Sequence, residues 1–432
     1  MINRATLRRN QKLLMEKSIP AAEAAALIAA SAVNIVVDDA ASSSRVGQIA
    51  VLVAAATASR AFGRVGFIGP DVPLLVRGAT SSLRQEVARC GAAVGEVGGP
   101  TIFVTTETPR CGLDDIRVTL DRGVGGFVPA DVPATFDLDG FAPAALLGAS
   151  LAVTSVFGRH VLKEPDDGRS RAFDMLPSGY TGPVADLDRA LPAHLAFLGI
   201  GHLGQGALFC ASLLGGLDDR RHYDLLDDQE IDPANFSTQL LVAEGQVGLK
   251  TTACVSWLVA RGIESVPTDG RLVAGVRASA PPAPIYLAGF DQGEARRALD
   301  VLLPAVVIEM GIGGRVADFT AFRIHLFPQS RLPSEIFHEL AEDLETLRAR
   351  AQEESAFEKS AFGDREATTE ERCGMIEAAG AASGAPFVGT AVAAIALSQV
   401  IRIAAGLLRD DVVAGDLRTS GVGDAFVSSP AG

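Results

Sequence analysis

Runs of alanine and straight-chain apolar residues over 21–30, 47–61 and 389–408 continue without breakers, which predicts helices buried on most sides. Short β-branched and aromatic runs alternate with them: Arg64-Val-Gly-Phe-Ile-Gly-Pro70, Thr101-Ile-Phe-Val-Thr-Thr-Glu107, Leu195-Ala-Phe-Leu-Gly-Ile-Gly201, Tyr223-Asp-Leu-Leu-Asp-Asp228 and Ile285-Tyr-Leu-Ala-Gly-Phe-Asp291. Each is bounded by glycine, proline or charge and reads as a strand. Strands separated by helical stretches predict an α/β fold, a Rossmann-like, mostly parallel sheet with flanking helices.

The two halves of the chain echo one another. The strand at Arg64 matches the one at His194, the strand at Thr101 matches Pro284-Ile-Tyr-Leu-Ala-Gly-Phe-Asp-Gln292, and the helix over 147–159 matches 388–402. Between the second and third matches the first copy has 46 residues (Ile102 to Gly148) and the second 104 (Ile285 to Gly389), so the second copy carries an insertion. The expected division is a degenerate N-terminal α/β domain over 1–165, without a glycine-rich loop, and a second α/β domain over 166–432. A helical crossover insertion is placed at about 329–372, where Arg331–Arg372 holds 12 acidic and 6 basic residues.

Composition narrows the class. Apolar residues make up 48% of the 432 residues and charged residues 21%, which fits a folded chain with a large core. The net charge of −14 would work against a polyanion-binding surface, so nucleic acid is not expected as a partner. Five cysteines (90, 111, 210, 254 and 373) include no C-x-x-C pair, which indicates neither a disulfide framework nor a four-thiolate zinc site and fits a reducing, cytoplasmic setting. The first twenty residues lack an apolar stretch and 389–408 carries Gln399 and Arg402, so neither a signal peptide nor a membrane span is expected.

The clearest chemical signal is Gly199-Ile-Gly201-His-Leu-Gly204-Gln-Gly206, between an apolar strand and an apolar helix. Such glycines allow a tight turn and close backbone approach, and the helix N-terminus offers free N–H groups to a phosphate. Asp227 lies 23 residues after Gly204, where an acid takes a ribose hydroxyl in dinucleotide sites. Taken alone, the loop and Asp227 suit an NAD-dependent oxidoreductase.

The residues that follow point elsewhere. Asp227-Asp-Gln-Glu-Ile-Asp-Pro-Ala-Asn235-Phe-Ser-Thr-Gln239 leads to Gly248-Leu-Lys250, and a later strand ends in Asp291-Gln-Gly-Glu-Ala-Arg296. This series resembles the E1-like adenylyltransferases of the ThiF/MoeB/HesA superfamily, whose pattern is a glycine loop, D-x-D-x-x-x-x-x-N-x-x-R-Q, G-x-x-K and D-N-x-x-x-R. The resemblance runs from about His194 to Arg296, with a looser echo at Cys373-Gly and Ala385-Pro-Phe-Val-Gly389. It implies an E1-like adenylation domain over 166–432 and Mg-ATP-dependent adenylation of a C-terminal carboxylate. The implied partner is a ubiquitin-like or carrier protein or a ribosomal peptide, with a homodimer as a possible assembly. By the same resemblance Gly199, Gly201 and Gly204 hold ATP phosphates, Asp227 the ribose, Asn235, Gln239 and Lys250 the phosphates, and Asp291 Mg²⁺. Cys373 is a candidate for thioester formation.

Three positions depart from the pattern. Thr238 replaces the arginine, Gln229 replaces the second acid, and G-x-x-K is shortened to Gly248-Leu-Lys250. A catalytically impaired nucleotide-binding scaffold is therefore the alternative within the family. Arg8, Arg9 and Arg45 are candidates for a compensating arginine. Lys250 is one of only five lysines, which raises the weight of its position. The other four cysteines sit in apolar or helical contexts and read as core residues. The six histidines (160, 194, 202, 222, 325 and 338) show no pair at helical spacing, so no zinc is expected. Ser42-Ser-Ser-Arg45 reads as a helix start.

Overall fold

The structure is a computed structural model, and it describes residues 9–165, 168–276, 281–313, 317–338, 383–418 and 429–430. The first half contains the helices α1 (Arg9–Met15), α2 (Ala21–Ala30), α3 (Asp39–Ser42), α4 (Arg45–Ala61), α5 (Leu83–Arg89) and α6 (Ala142–His160). Its strands are β1 (Ala32–Val37), β2 (Arg64–Ile68), β3 (Ala93–Val94), β4 (Thr101–Val104), β5 (Ile116–Asp121), β6 (Val124–Pro129) and β7 (Arg171–Asp174). The second half contains β8 (His194–Leu198), α7 (His202–Leu213), β9 (His222–Leu226), α8 (Lys250–Val259), β10 (Glu264–Thr268), β11 (Ile285–Ala288) and α9 (Gly293–Arg297). It continues with β12 (Val306–Ile312), β13 (Ala321–Phe327), α10 (Pro333–Ile336), α11 (Pro386–Ala404), β14 (Asp410–Asp416) and β15 (Ser429–Pro430).

The strands form two sheets, ordered β3-β2-β1-β4-β5-β6-β7 and β10-β9-β8-β11-β12-β13-β14-β15. In each, the first five strands run parallel and the remainder pair antiparallel. The orders coincide strand for strand over the first seven positions, so the halves are related and the α/β, Rossmann-like expectation holds. The register of the duplication differs from the sequence match. β8 occupies the place of β1, not that of the Arg64 strand, because interior parallel strands are all apolar runs that only hydrogen-bonded order tells apart. The pairs β4 with β11 and α6 with α11 stand as matched.

The boundary also moves. β7 lies beyond residue 165 yet pairs with β6, so the first sheet extends to Asp174. Most of the 329–372 insertion, and Cys373, lie outside the described residues.

Helices α4, α6, α7 and α11 are apolar nearly all round, so each must be covered on most of its surface. They supply that cover to one another. α4 packs on α6, α6 on α11 and α11 on α7, with one sheet against the first pair and the other against the second, giving one core that runs through both halves. Helices α6 and α11 are long and apolar enough to cross a membrane, but 89% of each such stretch is buried inside the fold, as expected of core helices. Across their contact the hydroxyls of Ser150 and Thr390 are hydrogen-bonded at 2.7 Å. As the sequence suggests, Ser44 starts α4, its Oγ accepting from the N–H of Gly47 at 3.0 Å. Of the cysteines read as core, Cys210 and Cys254 are buried, whereas Cys90 and Cys111 are half-buried, Cys111 because it lies in a loop.

Candidate nucleotide site

The C-terminal ends of β8, β9 and β11 open onto a cavity of about 610 Å³, at the edge of the parallel sheet where doubly wound folds take ligands. β8 leads into Gly199, whose φ of +78° lies in the left-handed region. A Cβ at Gly204 would meet the carbonyl oxygen of Gly199 at 2.1 Å, so only glycine lets the first turn of α7 close onto the loop. At Gly201 a Cβ would meet nothing within 4 Å, because this residue faces the cavity. No side chain caps α7, which leaves its first N–H groups for a ligand.

Asp227 follows β9. Its Oδ2 accepts from the backbone N–H of Ile200 at 2.5 Å and its Oδ1 from that of Gln229 at 2.7 Å, which fixes the carboxylate on the cavity wall and ties it to the glycine loop. Burial raises its pKa above the usual carboxylate range, and the nearby Lys250 opposes that shift. Lys250 opens α8 and is only 3% exposed, a placement that works against the helix dipole and so is not explained by helix stability. Its Nζ donates to Oε1 of Gln229. Burial lowers the lysine pKa, while Asp227 raises it and Arg9 adds to the lowering.

Arg9 reaches the same cavity from α1. Burial lowers its pKa against the pull of Asp291 and Asp232, and its Nε is buried without a hydrogen-bond partner. α1 is held in place by Nδ2 of Asn10, which donates to the carbonyl of Arg60 at 3.2 Å, and by Oγ of Ser383, which donates to Glu16. Asp291 follows β11 and also lines the cavity. Its loop is braced by Arg296, whose Nε donates to the carbonyl of Phe290 at 2.9 Å and lies 3.1 Å from Oε1 of Glu309. Burial pushes Glu309, 1% exposed, up to about 7, with Arg296 and then Arg323 opposing. His202, also on the wall, is pushed down to about 3 by burial, so it is a neutral ring at physiological pH.

Six of the expected site residues therefore line one cavity: Gly199, Gly201, Asp227, Gln239, Lys250 and Asp291. Gln239 is oriented by Nε2 of Gln205, which donates to its Oε1 at 3.0 Å. Gly204 and Asn235 do not line it. Gly204 is a packing position, and Asn235 sits on the 3-10 helix Pro233–Ser237 with its carbonyl accepting from the N–H groups of Thr238 and Gln239. Thr238, where the family pattern has arginine, is 1% exposed and donates to that same carbonyl at 3.2 Å. Among the arginine candidates, Arg45 is paired with Asp188 away from the cavity, Arg9 lines it, and Arg8 lies outside the described residues. Ser383 and Glu309 carry no sequence signal of their own, since Ser383 comes from far along the chain and Glu309 from within an ordinary apolar strand, whereas Arg296 is the last residue of the D-N-x-x-x-R match.

In the first half the equivalent position after β1 is closed. Asp38 stands there, its carboxylate accepting from the N–H of Ala41 at 2.7 Å and from the N–H and hydroxyl of Thr106 at 2.6 and 2.8 Å. A phosphate would meet a like charge on donors already taken.

Residues 191–407 match the BilD C-terminal domain family and residues 32–176 the BilD N-terminal domain family. The bacterial E1-like protein BilD of Collimonas sp. (strain OK412) is 27% identical over 437 residues, covering 97% of this chain and 93% of its own. Among solved structures, Escherichia coli MccB is similar at 14% identity with a TM-score of 0.35, over 54% of this chain and 61% of its own. E. coli tRNA N6-threonylcarbamoyladenosine dehydratase, TcdA, is similar at 16% identity with a TM-score of 0.34, over 51% of this chain and 89% of its own. With its paired domains, duplicated sheets and single open loop, the chain belongs to the BilD family of bacterial E1-like proteins.

Proposed function

We propose that the protein binds Mg-ATP in this cavity and adenylates the C-terminal carboxylate of a ubiquitin-like or carrier protein or of a ribosomal peptide. One observation carries the reading: the buried Lys250 and the half-buried Arg9 share the cavity with the open backbone at Gly201 and the fixed acceptor Asp227. A buried ammonium held by a neutral amide, and a guanidinium whose Nε has no hydrogen-bond partner, favour an anionic ligand, and an uncapped helix N-terminus adds to the same field.

In the proposed reaction a carboxylate oxygen attacks the α-phosphorus, the bond to the pyrophosphate oxygen breaks, and acyl adenylate and pyrophosphate result. No protein nucleophile is needed at this step. Lys250 and Arg9 would neutralise charge building on the phosphate oxygens, so Arg9 takes the part for which Thr238 has no charge. Asp227 would accept from a ribose hydroxyl. Asp291 is a cavity-lining carboxylate that could hold Mg²⁺, whose usual set of one or two carboxylates plus phosphate oxygens it fits; the ion supplies charge neutralisation when bound. Transfer of the acyl group to the thiolate of Cys373, releasing AMP, would be a second step.

The test is a thermal-shift comparison of wild type, Asp227→Ala and Lys250→Met with Mg-ATP, AMP and NAD. Ligand at about 100 times its dissociation constant adds roughly 2.7 kcal/mol. Stabilisation of wild type by Mg-ATP but not NAD, lost in both variants, is the expected result. A response to NAD alone would assign the loop to an oxidoreductase, and no response to ATP would overturn the proposal.

A further inference from the structure

The opposite edge of the second sheet holds a different constellation. His194, His222 and Glu264 are the first residues of β8, β9 and β10, and the parallel register sets them side by side, His194 opposite His222 and His222 opposite Glu264. Asp224 lies two residues after His222 and so projects from the same face of β9. Nε2 of His194 is 2.7 Å from Oδ2 of Asp224, and Nε2 of His222 is 3.2 Å from Oδ1 of the same carboxylate. The ring centroids are 4.9 Å apart, and one ligand atom from each of the three residues falls within 4.8 Å of the others. These strands begin at the edge away from the nucleotide cavity, which is built at their C-terminal ends.

We propose that His194, His222 and Asp224 form a zinc site. Two imidazole nitrogens and one carboxylate are a donor set that suits a borderline ion such as Zn²⁺, with the fourth position left to water. Both Nε2 atoms converge on one carboxylate rather than turning to separate partners. The exposed Glu264 adds negative charge beside the cluster, its Oε2 lying 3.8 Å from Nδ1 of His222. The two histidine side chains are 36% and 37% exposed while Asp224 is 9% exposed, so an ion reaches the cluster from solvent and settles on an anchored acid. Bound there, it would tie the starts of β8 and β9 together without touching the cavity at their other ends. The sequence held no sign of this, because 28 residues separate the two histidines and only the sheet register joins them.

The experiment uses the full chain, stripped with a chelator and dialysed, then titrated with Zn²⁺ in a calorimeter and with Co²⁺ in a spectrophotometer. Wild type is compared with His194→Ala/His222→Ala and with the milder Asp224→Asn, all five cysteines being left in place. The expected result is one equivalent of Zn²⁺ in wild type, a rise in melting temperature, and Co²⁺ absorption bands of a four-coordinate site with nitrogen and oxygen ligands. In both variants affinity should fall at least about tenfold, while the metal-free melting temperature and far-UV circular dichroism of the Asp224→Asn chain stay near wild type. Equal affinity in wild type and variants, or no zinc bound by wild type, would overturn the site. So would a Co²⁺ spectrum dominated by thiolate charge transfer.

Discussion

Lys250 Nζ and Gln229 Oε1 are hydrogen-bonded, and through them the start of α8 is fastened to the segment that follows Asp227. A neutral amide thus holds the buried ammonium where the family pattern has an acid. An acid would neutralise the lysine, whereas glutamine positions it and leaves its charge for a ligand. Replacement of Lys250 by methionine should lower the rate of partner-dependent ATP–pyrophosphate exchange by about 10²–10³-fold, the usual effect of removing one charge-stabilising donor. Gln229→Glu should weaken Mg-ATP binding, read as a smaller thermal shift.

Arg9 offers a test with opposite signs for stability and function. The residue is half-buried with a buried, unpartnered Nε, and burial disfavours its charged form, so removing it relieves desolvation. Arg9→Ala should leave the ligand-free melting temperature equal to or above wild type while reducing the Mg-ATP shift. A fall in ligand-free stability with an unchanged shift would show that Arg9 is structural.

Gly204→Ala places a methyl 2.1 Å from the carbonyl oxygen of Gly199. The obstacle is backbone, which has little room to move, so destabilisation at or above the roughly 1–3 kcal/mol of an overpacked core is expected. Denaturant unfolding measures the loss, and the Mg-ATP response should go with it. Gly201→Ala, with open space before its Cβ, should keep stability and lose only ligand affinity.

Glu309 predicts a pH dependence. Its carboxyl titrates near 7 in the folded protein, above its ordinary value, so between about pH 4.5 and 7 the folded state holds a proton that the unfolded state has released. Its contribution to stability is therefore complete below that window and is lost as pH rises through 7. Glu309→Gln should remove this slope, so that wild type minus variant stability, measured by urea unfolding, falls between pH 5 and pH 8.

The halves are fastened by Glu86 of α5 and Arg261, which follows α8; their side chains are 3% and 4% exposed, and Arg261 also stacks 3.5 Å over Trp257. Arg261→Met should cost about 3–5 kcal/mol by stranding the glutamate, and adding Glu86→Leu should restore part of it. Equilibrium unfolding of the single and double variants checks both signs.

The amino-acid order by itself determined whatever is local in the chain. The loop from Gly199 to Gly206, the acid at 227 and the lysine at 250 carry meaning through spacing, because a strand, a tight turn and a helix start each demand particular residues within a few positions. The apolar core helices were legible for the same reason, since 47–61 and 389–408 leave no face that water could cover. Tertiary structure decided everything that joins distant segments. It assigned β8 to the place of β1 rather than that of β2, because interior parallel strands share one apolar composition and differ only in their hydrogen-bonded neighbours. It brought Arg9 to a cavity built from residues about two hundred positions later, and it put Asn235 off that cavity. It also set His194 beside His222, since cross-strand pairing is a matter of register, to which two strands separated by a helix give no clue in their spacing.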